Sequence, residues 1–292
     1  MCATCGCSSE LVPDHRHEHE HAHGHDHDHA HGHAHDDSGH EHAHGETRLL
    51  QLEQEVLAKN DRAAERNRGW LEAQGIFAVN LMGSPGAGKT ALLEHTLREL
   101  DVQAAVIEGD QATELDAERI RATGRRVLQV NTGTGCHLNA EMVGRSLREL
   151  SPPPRSLLVI ENVGNLVCPA LFDLGEGARV VVLSVTEGAD KPLKYPHMFR
   201  NCDLLVLNKI DLLPYVRFDV EACTAAARRI NPRLRVMQVS ATRGDGMEAW
   251  TAWLRDFLPG TERAAQEPSA AASCANGVSP APASTTRMPS ST

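Results

Sequence analysis

Gly83-Ser84-Pro85-Gly86-Ala87-Gly88-Lys89-Thr90 leaves the chain little choice about its surroundings. The apolar run IFAVNLM precedes it and the helical pattern ALLEHTLREL follows, so the octapeptide must turn tightly from a buried strand into a helix. Its glycines let successive backbone N–H groups face inward, and the helix N-terminus behind them adds the positive end of its dipole. Such a loop cradles phosphates. Gly83, Ser84, Gly86, Ala87 and Gly88 supply the backbone, Lys89 supplies charge for the β- and γ-phosphates, and the Thr90 hydroxyl can ligate Mg²⁺.

The rest of the middle of the chain alternates short apolar runs with helical patterns. IFAVNLM, AAVIE, VLQVN, SLLVIEN, RVVVLSV, LLVLNK and RVMQVS read as strands, and the unbroken apolarity of RVVVLSV and LLVLNK suits strands buried on both sides. This pattern predicts an α/β fold: a mostly parallel sheet of about seven strands with helices on both faces. A leading helix is expected from Thr47 to about Gln74, with Leu49, Leu52, Val56 and Leu57 as a partial apolar stripe. Residues 1–46 are dominated by His alternating with Asp, Glu, Ala and Gly, and residues 260–292 by Ala, Ser, Thr and Pro. Neither stretch carries enough apolar surface to offset the entropy of ordering, so both are expected to be disordered, leaving residues 47–259 as the folded domain.

Asn208-Lys209-Ile210-Asp211 follows the strand LLVL, at the carboxyl edge where ligands of such sheets sit. The tetrapeptide resembles the guanine-specificity motif of GTPases. The Asp211 carboxylate can accept from the N1–H and amino group of guanine, a donor pair that adenine lacks on that edge. Lys209 would lie along the base, Asn208 would brace neighbouring loops, and Ser240-Ala241 after the next strand resembles the loop that adds backbone contacts to the base. Together these select GTP. Glu161 and Gly164 in VIENVGN resemble a Glu-x-x-Gly element that senses the γ-phosphate. Asp110 in IEGDQ is a candidate for Mg²⁺ or for the attacking water. Lys89, Asp110 and Glu161 are therefore the expected catalytic residues.

Eight cysteines and 17 histidines raise the question of metal. Cys2, Cys5 and Cys7 crowd three thiols beside the terminus, and three thiolates with the terminal amine suit square-planar Ni²⁺. Fourteen of the histidines lie between His15 and His44, mostly on alternate residues, a tract that binds several ions weakly. Inside the domain, Cys136-His137 and Cys168 each leave the end of a strand and can converge as two thiolates and an imidazole for Ni²⁺ or Zn²⁺. Buried cysteine is common enough to explain either thiol alone. Cys202, Cys223 and Cys274 have no such setting and are assigned to packing or to the tail.

A net charge of −10 without a Lys/Arg stripe argues against nucleic acid. No run of about 18 apolar residues and no secretory leader is visible, so no membrane role is expected and the chain is placed in the cytoplasm.

In order along the chain, the arm, the phosphate loop, ENVGN, NKID and the Cys-His/Cys pair resemble the hydrogenase nickel-incorporation GTPase family, HypB, over about residues 1 to 258. MCATCGC is similar to that family's N-terminal nickel motif, and GTGCHLNAEMV with NLVCPALFDLG is similar to its G-domain metal motif. The resemblance implies a GTP hydrolase that stores nickel and delivers it during [NiFe]-hydrogenase maturation. It also implies a nucleotide- or metal-linked homodimer, a HypA-type nickel accessory protein and the hydrogenase large-subunit precursor as partners. A urease-type nickel GTPase would carry a Cys-x-His pair in place of adjacent Cys136-His137, and a pure nickel storage protein has no need of a GTP site.

Overall fold

The computed structural model describes residues 40–110, 115–133 and 135–258. The Cys2, Cys5 and Cys7 motif, the histidines before residue 40 and the tail from residue 259 onward lie outside the described residues.

Strands β1 (Phe77–Gly83), β2 (Ala104–Asp110), β3 (Arg126–Asn131), β4 (Leu157–Glu161), β5 (Ala178–Ser184), β6 (Leu204–Asn208) and β7 (Arg235–Gln238) form one sheet in the order β3-β2-β4-β1-β5-β6-β7. Every neighbouring pair is parallel, as near-continuous apolar strands demand. Each edge strand has solvent-exposed ends, while β4 and β6 are buried throughout.

Alternation along the strands sends side chains to the two faces of the sheet. Val79, Leu81, Val159, Val180 and Val206 pack against Leu92, Leu93 and Leu97 of α2 (Lys89–Glu99) and Trp250 and Trp253 of α8 (Met247–Arg255). Across the sheet, Ala78, Ile107, Leu158 and Ile160 meet Leu71 of α1 (His40–Gln74) and Val143 and Leu147 of α4 (Ala140–Leu150). On the same side, Val181, Leu183, Leu205 and Leu207 meet Phe199 of α6 (Pro196–Arg200), which follows the short α5 (Lys191–Lys194), and Ala227 of α7 (Val220–Ile230). Residue spacing of two in the strands thus decides which helix each side chain serves.

The connection from β1 runs outward to β2 and leaves a slot that β4 later fills, whereas β5 pairs on the opposite side of β1. Helices on the two sides diverge where the order reverses. A crevice opens at the carboxyl end of β1, and the phosphate loop stands at its mouth.

Helix α1 begins at His40 rather than Thr47 and docks by residues other than the expected stripe. Leu52 and Val56 are 57% and 49% exposed, while Asn60, Ala63, Ala64, Asn67 and Leu71 form the buried face. Backbone groups explain the choice of polar residues there. Asn60 accepts from Ala140 N at 2.9 Å and donates to the Asp173 carbonyl at 2.7 Å. Asn67 donates to the carbonyls of Ala140 and Leu174 at 2.8 and 3.0 Å. Arg68 adds a two-toothed contact to Asp173, at 2.9 and 2.7 Å. Leucines at these positions would have left the start of α4 and the loop at 173–174 with buried, unpaired backbone.

Asn60→Ala removes a donor and an acceptor from buried partners, which costs about 1–3 kcal/mol. Thermal unfolding of this variant is expected roughly 3–10 °C lower than that of the parent. An unchanged midpoint would show that α1 does not depend on this contact.

Candidate functional site

The phosphate loop is shaped by its contacts with β5 and β6. A Cβ on Gly88, whose φ is 93°, would stand 2.4 Å from the Asn208 amide nitrogen, so only glycine fits between the loop and the end of β6. Asn208 donates to the Ala87 carbonyl at 3.0 Å and accepts from Lys209 N and Ala241 N at 2.8 and 3.1 Å. One buried amide therefore ties the phosphate loop, the NKID turn and the Ser240-Ala241 loop together. Lys209 reaches across to the Gly86 carbonyl at 2.7 Å, and Asp211 accepts from the Ser240 hydroxyl at 2.6 Å.

Lys89 lies 93% buried, with its ammonium 3.4 Å from the carbonyls of Gly83 and Ser84. Burial lowers its pKa while Glu161 opposes that shift. Thr90 donates its hydroxyl proton to Glu161 at 2.7 Å, across the gap between α2 and the end of β4. The chain leaving β4 then crosses the loop: Gly164 packs so tightly on Pro85 that a Cβ there would come within 3.0 Å of its backbone, and Asn165 makes a bridge to Gly83. A cavity of about 420 Å³ is left between these walls, and Asp110 lines it together with Gly86, Gly88, Lys89, Thr90 and Glu161.

The polar residues of this cavity that the sequence does not single out include Glu108, Asp116, Arg119 and Asn162. Glu108 sits in the apolar strand AAVIEGD, and a carboxylate interrupting a buried strand was the available signal. Asp116 opens α3 (Leu115–Arg121), where an acidic residue passes for an ordinary first-turn charge. One oxygen each of Glu108 and Glu161, in both cases Oε2, is buried without a partner among the described residues. Burial pushes Glu161 up to about 7 against the pull of Lys89 and Thr90, and burial, with neighbouring carboxylates adding to it, pushes Glu108 up to about 8. Two buried, orphaned carboxyl oxygens beside a threonine hydroxyl are a donor set suited to a hard divalent cation.

The second cluster lies where the chain turns after β3 and after β4. Cys136 Sγ is 2.7 Å from Cys168 Sγ and 3.6 Å from His137 Nδ1, and one ligand atom from each of the three residues falls within 4.8 Å of the others. Cys136 and His137 precede α4, whose N-terminus Asn139 caps by accepting from Met142 N. The His137 ring stacks on Phe172 at 4.0 Å, and burial lowers its pKa, which favours the neutral ligand form. Cys202 and Cys223 lie apart from this cluster inside a hydrophobic core, where burial pushes their thiols up to about 12 and about 11. They are packing residues.

The raised carboxyls carry a pH signature. Glu108 and Glu161 hold their protons more tightly in the fold than at the ordinary 4.5, so the stability they contribute is complete below about pH 4.5 and is lost as pH rises through about 7 to 8. Nucleotide-free protein is expected to melt lower at pH 8.5 than at pH 5.5, and Glu108→Gln to flatten that slope. A slope unaltered by the substitution would contradict the assignment.

Comparison with known proteins places this geometry. The nucleotide-binding domain described as CobW/HypB/UreG matches residues 77–238. The hydrogenase maturation factor HypB of Rhizobium leguminosarum bv. viciae is 58% identical over 209 residues, spanning 71% of this chain and 70% of that protein. HypB of Escherichia coli K12 is 57% identical over 209 residues, 71% of this chain and 72% of its own length. Among solved structures, HypB from Archaeoglobus fulgidus is 44% identical with a TM-score of 0.64, covering 68% of this chain and 98% of that one. HypB from Helicobacter pylori in complex with nickel is 35% identical with a TM-score of 0.64, covering 68% and 94%. The chain belongs to the CobW/HypB/UreG family of nucleotide-binding proteins and, within it, to the HypB hydrogenase maturation factors.

Proposed function

We propose that this chain is a nickel chaperone that hydrolyses GTP and delivers nickel during [NiFe]-hydrogenase maturation. The observation that carries the proposal is the meeting, at one edge of a single sheet, of a phosphate-binding cavity with a Cys136, His137 and Cys168 ligand set. In this reading Gly83, Ser84, Gly86, Ala87, Gly88 and Lys89 hold the phosphates, while Asn208, Lys209, Asp211, Ser240 and Ala241 hold guanine. Mg²⁺ would be held by Thr90 with Glu161, Asp110 and Glu108 near it, and it would neutralise charge on the β- and γ-phosphate oxygens. Asp110 serves either that cation or the attacking water. Glu161 senses the γ-phosphate from the end of β4.

Nickel is the cargo. Cys2, Cys5 and Cys7 make the tight site, the histidines from His15 to His44 store further ions, and the internal cluster takes Ni²⁺ or Zn²⁺. Residues 1–46 act as the metal arm, 47–259 as the GTPase domain and 260–292 as a tail. Nucleotide state and occupancy of the internal cluster are linked, because Cys168 lies on the segment that leaves the γ-phosphate-sensing strand. A homodimer, a HypA-type accessory protein and the hydrogenase large-subunit precursor complete the delivery path, in the cytoplasm. Among the described residues no helix is long and apolar enough to cross a membrane.

Lys89→Ala is expected to reduce GTP turnover on the order of 100-fold or more while nickel stoichiometry by equilibrium dialysis stays the same. Unchanged turnover would remove the phosphate-loop assignment. Asp211→Asn replaces an acceptor with an amide and is expected to move preference from GTP toward xanthosine triphosphate, measured by competition. A variant that still favours GTP by the parental margin would show that Asp211 does not read the base.

A further inference from the structure

Leu138 follows His137 directly, and it is fixed from two sides by walls of the nucleotide cavity. Its side chain is wholly buried against Gly109 of β2, so closely that a Cβ on Gly109 would stand 2.8 Å from Leu138 Cγ. Its backbone N–H donates to Asn162 Oδ1 at 3.1 Å. Gly109 lies between Glu108 and Asp110, and Asn162 follows Glu161, so both contacts originate next to the carboxylates that line the cavity.

Asn162 has a second arm. The same Oδ1 accepts from Val163 N at 3.1 Å, and its amide nitrogen donates to Asn80 Oδ1 at 3.3 Å. Asn80 donates to Glu176 at 3.2 Å, and the other oxygen of Glu176 accepts from Leu174 N at 2.7 Å. Leu174 ends the loop that starts at Cys168 and carries Phe172, the ring stacked on His137. Asn162, Asn80 and Glu176 are each at least 94% buried, so no water substitutes cheaply for a broken link.

We infer that Asn162 is the positioning residue through which the segment after Glu161 sets the two metal-bearing turns, one by its bond to Leu138 and the other through Asn80 and Glu176. This rests on the reading that nucleotide state and the Cys136/His137/Cys168 cluster are linked, and it names the side chain that carries the link. Movement of the β4 end toward or away from a γ-phosphate drags the Asn162 amide. Leu138 cannot stay behind without leaving a buried N–H unpaired, and His137 is its chain neighbour. Asn67 holds the start of α4 and the loop at Leu174 from the α1 side by the carbonyls of Ala140 and Leu174, and among the described residues it makes no hydrogen bond to the β4 end. It therefore serves as a control for simple loosening.

The test uses the full chain with Cys2, Cys5 and Cys7 replaced by Ser, so that the thiolate-to-nickel absorption band reports on Cys136 and Cys168. Free Ni²⁺ is fixed by a chelating buffer, which also allows for the histidine tract. The half-saturating nickel concentration is expected to differ about 5- to 150-fold between the GDP state and a non-hydrolysable GTP analogue state. Asn162→Ala is expected to bring that ratio below about twofold, and Asn67→Ala to weaken binding in both states while preserving the ratio. A ratio that persists in Asn162→Ala, or one that Asn67→Ala erases equally, overturns the role of Asn162 alone. No difference in the parent overturns the linkage itself and the inference with it. Should Asn162→Ala fail to fold, hydrogen exchange of the Leu138 amide in the unsubstituted chain decides the matter. Exchange that changes with nucleotide supports the inference, and identical exchange in both states overturns it.

Discussion

Where the chain goes on leaving β4 governs the whole working edge of the sheet. Because β4 is inserted between β1 and β2, its C-terminal end emerges beside the phosphate loop and has to pass over it. Gly164 is pressed onto Pro85 and Asn165 onto Gly83, so the loop and the crossing segment share one surface. The same segment then runs directly to Cys168. A single stretch of backbone thus borders the cavity for phosphates at one end and supplies a thiol at the other, and strand order alone brings this about.

Electrostatics sharpen the arrangement. Glu161, Glu108 and Lys89 are buried together, and each is held in the fold at the expense of its charged form. Orphaned carboxyl oxygens and a buried ammonium are costly by themselves, a cost that a cation and an anion bound there would offset. The His137 imidazole, whose pKa burial lowers, and the two adjacent thiols are softer donors, distinct in ligand chemistry from the hard oxygens of the cavity.

Much of this was legible in the sequence, because strand burial and the phosphate loop are written in contiguous residues. GSPGAGKT, NKID and the apolar runs fix the sheet and its carboxyl edge with local information. Convergence of Cys136-His137 with Cys168 was suggested by their common origin at strand ends, which parallel topology turns into proximity. What stayed hidden depends on contacts distant in sequence. Leu52 and Val56 looked like the buried face of α1, yet Asn60 and Asn67 dock it, since the demand comes from unpaired backbone at residues 140, 173 and 174. Glu108, Asp116 and Asn162 likewise acquire meaning only once β2, α3 and β4 are side by side.

Linkage offers the most direct test of the idea that one segment serves both sites, because the two sites must change each other's affinity by the same factor. Affinity for GDP and for a non-hydrolysable GTP analogue, measured by fluorescence titration with the internal cluster empty and then nickel-loaded, gives that factor from the nucleotide side. Nickel is expected to change the ratio of the two nucleotide affinities by about 5- to 150-fold, equal to the change that nucleotide makes in nickel affinity. A ratio indifferent to nickel would contradict it and leave two independent sites on one sheet.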